Sequence, residues 1–433
     1  MAEKLVIHGG RPLRGEVHIS GAKNSVLKLM AASLLSPEPI ELHNVPQLTD
    51  VNVMAEVIRE LGVTVTQDGN QMVIHADTIS NIKASYELVR KMRASFNVLG
   101  ALLGRCGEAK VALPGGCSIG KRGIDLHVKG LEALGATVKI DHGYVTTKAK
   151  KLTGAHIVLD TPSVGATENI MLAAVYAEGA TTIENAAQEP EIVDLVNFLN
   201  AMGADIFGAG TSEIVINGVK KDSLHSAQYA VMPDRVEGAT YLIAAAGTRG
   251  DVIVQNVLPA HLSSLTHKLT EMGALIETPS PNSLRIAVKK PLTAQGVVTQ
   301  PYPGFPTDLQ APFTALAAVC DGVSVIKETI YENRFKHVGE LKRMNADIQM
   351  EENVAVVTGV DFLSGAEVTA SDLRAGAALV IAGLQAKGYT TIFDLHHLDR
   401  GYEKVVEKLS AMGAHVQRKP VERDETGLPV EAE

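Results

Sequence analysis

Residues 113–127 read LPGGCSIGKRGIDLH, which places Cys117 behind a glycine pair with Lys121 and Arg122 close by in sequence. Cationic neighbours and free backbone amides lower a thiol's pKa and favour thiolate, so Cys117 has the setting of a reactive cysteine. The other two cysteines, Cys106 in LLGRCGEA and Cys320 in LAAVCDG, lie at the ends of apolar stretches, where a small buried hydrophobe is expected. Three scattered cysteines cannot build a disulfide framework or a zinc site, so reduced thiols are the default. No histidine stands close enough in sequence to define a Cys-His pair, and His127 is expected on a helix surface.

A second set of chemically capable residues opens six apolar, Ala-rich segments: GAKNS (Lys23, Asn24), KMRAS (Arg93, Ser95), PSVGATEN (Ser163, Thr167, Glu168), MPDRVEGAT (Asp234, Arg235), FPTDLQAP (Thr307, Asp308) and SDLRAG (Asp372, Arg374). Ser, Thr, Asp and Asn are ordinary helix caps. Lys and Arg are not, because a helix start already carries partial positive charge. Lys23, Arg93, Arg235 and Arg374 at such starts therefore point to an anion gathered by several helix ends. Arg122, Arg334 and Arg400, in later turns, repeat the pattern in both halves of the chain, so a cleft between two domains is the expected home for that anion.

The elements that must position these residues form a repeat. Leu or Met, then Gly, then a small residue recurs at Gly62, Gly135, Gly203, Gly273, Asn345 and Gly413, with spacings of 73, 68, 70, 72 and 68 residues. Asn345 is the one departure, and Asn is the other residue that readily takes the left-handed turn ending a helix. Each phrase closes an amphipathic stretch such as EIVDLVNFLNAMGA and precedes a strand such as TVKI or HVQ. Each unit also holds a second helix that is apolar all round, such as IMLAAVYAEG or TYLIAAAG, mostly followed by a strand such as TTIENA or DVIVQNV. Six units exceed what one core accommodates, so two α/β domains of three units each are expected, with the midpoint near residues 218–230. KPVERDETGLPVEAE, 419–433, lacks periodicity and is expected to be a disordered tail.

Composition bounds the function. The chain has 433 residues, 45% apolar and only 4% aromatic with no Trp, and a formal charge of -9. Few aromatics and a negative balance argue against nucleic acid and anionic membrane as partners, so an anion must be held by a local basic cluster. The N-terminus lacks the pattern of a signal peptide and no apolar run approaches a membrane span, so a cytoplasmic protein is expected. No dinucleotide GxGxxG, Walker loop, HExxH or paired CxxC is present, and nothing calls for a metal or a redox cofactor.

Taken together and in order, GAKNS, MRAS, LPGGCSIGKRGIDLH, PSVGATENIM, ENAAQEPEIVDL, PDRVEGATY, PTDLQAP, ENRFKHV, SDLRAGAALV and DRGYE resemble the UDP-N-acetylglucosamine 1-carboxyvinyltransferases, enolpyruvyl transferases that open peptidoglycan synthesis. The resemblance implies two inverse α/β barrel domains of βαβαββ units, with the first strand crossing back: 22–229 as one domain, 1–21 with 230–418 as the other. It implies phosphoenolpyruvate and UDP-N-acetylglucosamine as substrates, with no obligatory protein partner inferred. By the same resemblance Cys117 is the proton donor, able to form a covalent adduct with phosphoenolpyruvate and to attack the epoxide of fosfomycin. Asp308 is the candidate base at the sugar 3-hydroxyl, and Lys23, Arg122 and Arg400 bind phosphoenolpyruvate. Asn24, Arg93, Arg334, Asp372 and Arg374 are neighbouring site positions. The turn Arg122, Gly123, Ile124, Asp125, Leu126, with Ser163, Val164, Gly165 and Ile330, holds the nucleotide sugar. A 3-phosphoshikimate 1-carboxyvinyltransferase-like enzyme is the nearest alternative, against which the PGGC loop and ENAAQEPEIVDL argue. A non-enzymatic repeat scaffold would have bland helix starts.

Overall fold

A computed structural model describes residues 3–114, 120 and 123–421. Cys117, Lys121 and Arg122 lie outside the described residues. The six recurrent phrases each terminate a helix. Gly62, Gly135, Gly203, Gly273 and Gly413 take φ of 87°, 92°, 103°, 105° and 83°, and Asn345 takes 73°, the left-handed conformation that stops a helix at low cost for these two residue types. The Ala-rich segments form the helices that are buried all round. In Leu373–Gln385 every residue from Leu373 to Leu384 is buried, whereas Ser263–Glu271, an amphipathic partner, buries only Leu265 and Leu269. FNVLGALLG is not one helix: a 3₁₀ turn, Arg93–Asn97, leads into Val98–Cys106.

Among the described residues there are six four-stranded sheets, each with one parallel pair and otherwise antiparallel neighbours. Two of the joins are long-range. Strand Ala227–Ala230 runs parallel to Ile40–His43 and completes the first sheet. The N-terminal strands go the other way: Arg14–His18 pairs with Asp251–Gln255, and Glu3–His8 lies between Tyr389–Phe393 and His415–Pro420. Two cores result, one gathering buried apolar residues between Ala22 and Met232, the other those of Leu5–Ile19 and Val236–Val416. The chain passes between them twice, and there Gly21 bridges Pro233. A Cβ at Gly21 would lie 1.8 Å from the Asn44 carbonyl oxygen, so only glycine fits this crossing.

The C-terminal strand corrects the expected tail. His415–Pro420 pairs with Glu3–His8 as far as Pro420, because Val416 is buried and Arg418 is ion-paired to Glu3 and Asp399, which ties down a stretch whose composition alone looks unstructured. Residues 419 and 420 therefore belong to the strand.

Candidate active site

Three of the polar helix openings are caps in the ordinary sense. Ser163 accepts from the Ala166 amide, Asp234 from Val236 and Glu237, and Asp372 from Arg374 and Ala375. The basic residues do something else. Lys23 opens helix Lys23–Ala32, and its backbone amide donates to Asp234 Oδ2 of the other half at 3.1 Å. Its Nζ lies 2.7 Å from Asp50 Oδ2, and Arg400 donates to the same carboxylate from the second half, Nε at 2.9 Å and Nη2 at 3.3 Å. Asp308, in the 3₁₀ turn Thr307–Leu309, is gripped likewise: Arg334 Nη2 at 2.5 Å from Oδ1 and Arg374 Nη2 at 2.9 Å from Oδ2.

The two clusters feel each other. Burial is the largest influence on Lys23 and lowers its pKa; Asp50 opposes this while Arg400 and Arg374 add to it. Burial would raise the Asp308 carboxyl, but Arg374, Arg334 and Lys23 together outweigh it and hold it far below the usual carboxylate range. Four cations facing two carboxylates leave a local surplus of positive charge in a chain that is negative overall. These cations lie where the two halves meet. Arg235 does not join them in the expected way. It donates bidentately to Glu191 at 2.9 and 3.1 Å, joining the halves through a buried ion pair.

The other described candidates lie on separate segments. Arg93 Nη2 donates to the Gly123 carbonyl at 3.2 Å, so the 3₁₀ turn carrying Arg93 supports the turn Gly123, Ile124, Asp125, Leu126. Ser163, Val164 and Gly165 open helix Val164–Ala174 next door, where a Cβ at Gly165 would meet the His127 ring at 3.2 Å. Asn24 is half-buried beside Lys23, and Ile330 is half-buried after strand Val323–Lys327. His127 contradicts its expected surface position. It is buried on helix Asp125–Ala133, stacked edge-on against Phe96, with Nδ1 3.0 Å from the Asn169 amide nitrogen. Burial, with Arg93 and Lys28 nearby, pushes it down to about 3, so it stays neutral. Its position facing helix Val164–Ala174 hides it, a long-range contact that the local sequence does not encode.

Two functional-looking residues escaped the sequence. Asp50 reads as a routine acid in the first turn of Thr49–Glu60, yet it joins Lys23 to Arg400. Glu328 is buried and accepts from Thr299 at 2.8 Å, Thr307 at 2.9 Å and the Ile330 amide at 2.7 Å, fixing the Ile330 turn beside that of Asp308. Among the described residues no cluster of His, Cys, Asp or Glu could hold a metal ion, and no helix is long and apolar enough to cross a membrane.

This two-core architecture with a basic cleft has known counterparts. The model of the EPSP synthase (3-phosphoshikimate 1-carboxyvinyltransferase) family matches residues 7–409. The UDP-N-acetylglucosamine 1-carboxyvinyltransferase 1 of Caldanaerobacter subterraneus subsp. tengcongensis is 56% identical, over 97% of this chain and 100% of the relative. The chain belongs to the UDP-N-acetylglucosamine 1-carboxyvinyltransferase family. A relative of the same name from Gloeobacter violaceus is 54% identical over 96% of this chain and 90% of its own length. Among solved structures, the enolpyruvyl transferase NikO from Streptomyces tendae superimposes with a TM-score of 0.86 at 27% identity, covering 96% of this chain and 99% of NikO. The EPSP synthase of Acinetobacter baumannii shares the fold at a TM-score of 0.75 and 19% identity, covering 96% of this chain and 100% of that one. The fold is thus that of the enolpyruvyl transferases, two inverse α/β barrel domains, and the close relatives carry the UDP-N-acetylglucosamine name rather than the shikimate one.

Proposed function

We propose that the chain transfers the enolpyruvyl group of phosphoenolpyruvate to the 3-hydroxyl of UDP-N-acetylglucosamine, releasing phosphate, as the first committed step of peptidoglycan synthesis in the cytoplasm. The observation that carries this reading is the cleft in which Lys23 and Arg400, from opposite halves, converge beside Asp308. Both substrates are anions, and phosphoenolpyruvate needs more than one cation for its phosphate and carboxylate. Lys23, Arg122 and Arg400 bind it. Asn24, Arg93, Arg334, Asp372 and Arg374 shape the surroundings, and Gly123 to Leu126, Ser163 to Gly165 and Ile330 bind the nucleotide sugar. The division supporting this cleft is the expected 22–229 against 1–21 with 230–418, shifted at both ends: Ala230 pairs with His43 and Val231 and Met232 pack in the first core, and the last strand runs to 420.

The chemistry needs an acid and a base on one site. A proton from Cys117 to the methylene carbon of phosphoenolpyruvate makes the neighbouring carbon electrophilic. The sugar hydroxyl attacks that carbon and gives up its proton, forming a tetrahedral ketal. Loss of a methyl proton and cleavage of the carbon–oxygen bond to phosphate then restore the double bond. Asp308 stays ionised between its two guanidiniums and is a weak base, suited to orienting the hydroxyl and taking its proton only as the new bond forms.

Incubation with both substrates tests the reading. Phosphate release that requires UDP-N-acetylglucosamine is expected, and release with 3-phosphoshikimate in its place would overturn it.

A further inference from the structure

Behind the candidate nucleotide-sugar contacts lies a buried polar network that the reaction itself does not use. Lys28 Nζ donates to both oxygens of Glu168, at 2.7 and 2.8 Å, and Asn97 Nδ2 donates to Glu168 Oε2 at 2.7 Å. The Asn169 amide nitrogen reaches Asn97 Oδ1 at 3.2 Å and His127 Nδ1 at 3.0 Å, and Asn169 Oδ1 accepts from the Gly100 amide at 2.7 Å. All five side chains are buried, Glu168 and Asn169 completely.

Their spacing gives the network a direction. Lys28 lies one helical turn beyond Asn24, Asn97 four residues beyond Arg93, Glu168 and Asn169 one turn beyond Val164 and Gly165, and His127 directly follows Leu126. Four segments that meet only in space, each with candidate ligand contacts at its front, are joined to one another at the back. Stability does not account for an ion pair in that place, because apolar residues of similar volume in a core are as stabilising or more so. A charged, bidentate contact instead fixes distance and angle, which a site with contacts on four separate elements requires.

We infer that Lys28 and Glu168 are positioning residues that set the mutual placement of the Asn24, Arg93, Gly123–Leu126 and Ser163–Gly165 segments for the nucleotide sugar, an inference that rests on the function proposed above. Lys23 has separate anchors in Asp50 and Asp234, so phosphoenolpyruvate binding depends on the network less than nucleotide-sugar binding does.

The test is Lys28→Met with Glu168→Gln in the full-length chain, which removes both charges, keeps chain length and leaves Asn97 an acceptor. Glu168→Gln alone serves as the companion. Melting temperature, UDP-N-acetylglucosamine affinity by calorimetry, and kcat with KM for each substrate are measured. The double variant is expected to melt near the wild type, to bind UDP-N-acetylglucosamine about tenfold more weakly, and to keep kcat and the phosphoenolpyruvate KM within about threefold. Affinity at the wild-type level in a folded double variant would overturn the inference, as would affinity that falls in Glu168→Gln and returns together with stability in the double variant. A wild-type protein that binds no UDP-N-acetylglucosamine would overturn the functional reading and this inference with it; the two failures differ in whether the wild type or only the variant departs from expectation.

Discussion

Arg400 of the second half and Asp50 of the first are bound to each other across the cleft, Nε to Oδ1 at 2.9 Å and Nη2 to Oδ2 at 3.3 Å, over a carboxylate that Lys23 also holds. Asp50 thus offsets one of the two positive charges of Lys23 and Arg400, two of the three cations that phosphoenolpyruvate is proposed to use. Asp50→Asn removes that anion and leaves Lys23 buried beside Arg400. The variant is expected to lose about 2 kcal/mol of stability, less than a fully buried pair because Arg400 keeps about a third of its side chain exposed. The vacated charge favours an incoming anion, so inorganic phosphate should raise the variant's melting temperature more than the wild type's. Equal shifts in both proteins would contradict this account.

Asp308 yields an expectation about pH. Its two guanidiniums keep the folded-state pKa far below the unfolded value, so it remains ionised throughout the working range, and any acid limb of kcat/KM above pH 5 belongs to another group. Lengthening the side chain by Asp308→Glu is expected to lower kcat by roughly a hundredfold through misplacement of the carboxylate. The pH of any acid limb should not move. A limb that shifts with this substitution would make Asp308 the titrating base.

The sequence carried the architecture well because the repeat is written in backbone chemistry: six residues that take the left-handed conformation mark six helix ends, Asn345 included. Lys23, Asp308, Arg334, Arg374 and Arg400 were legible as basic or acidic residues at helix starts and turns, where no capping argument called for the cations. What stayed hidden was pairing. Arg235 looks like Arg374 in sequence but is committed to Glu191, and Asp50 looks like a first-turn acid. Which charges meet depends on long-range sheet joins such as Ala227–Ala230 against Ile40–His43, and no local pattern encodes them.

His337 supplies an expectation about stability. It is buried, faces Asp372 and Arg334 and stacks on Phe335, and burial lowers it to about 4, below its ordinary value of 6.5. The unfolded chain therefore binds a proton that the folded chain refuses between about pH 6.5 and 4, and stability falls as pH drops through that window. At pH 5 the loss from this one group is about 2 kcal/mol relative to pH 7.5. His127 acts in the same sense, while Glu237, raised by burial to about 7, acts in the opposite one. The clean readout is a difference: urea unfolding of His337→Phe should lose about 2 kcal/mol less than the wild type between pH 7.5 and 5. Parallel losses in the two proteins would show that His337 takes up its proton without unfolding.

The three thiols should differ in reactivity because two are chemically muted by the fold. Cys320 is 2% exposed, its thiol donates to the Leu316 carbonyl at 3.3 Å, and burial pushes it up to about 12. Cys106 is half-buried at the end of Val98–Cys106, and burial raises it as well, outweighing Arg105 and Lys221. Both are thus almost entirely thiol, not thiolate, at neutral pH, and the thiolate is the nucleophile. Cys117, with Lys121 and Arg122 in the same short stretch, is expected to react first with iodoacetamide at pH 7.5, before Cys106 and long before Cys320. Phosphate release should fall in step with the first modification. UDP-N-acetylglucosamine should promote attachment of fosfomycin to the same residue, and Cys117→Asp should resist it, because a carboxylate is a much poorer nucleophile towards an epoxide than a thiolate. Peptide mass spectrometry at partial labelling decides the order: label on Cys106 or Cys320 while Cys117 remains free would remove Cys117 from the proposed acid role.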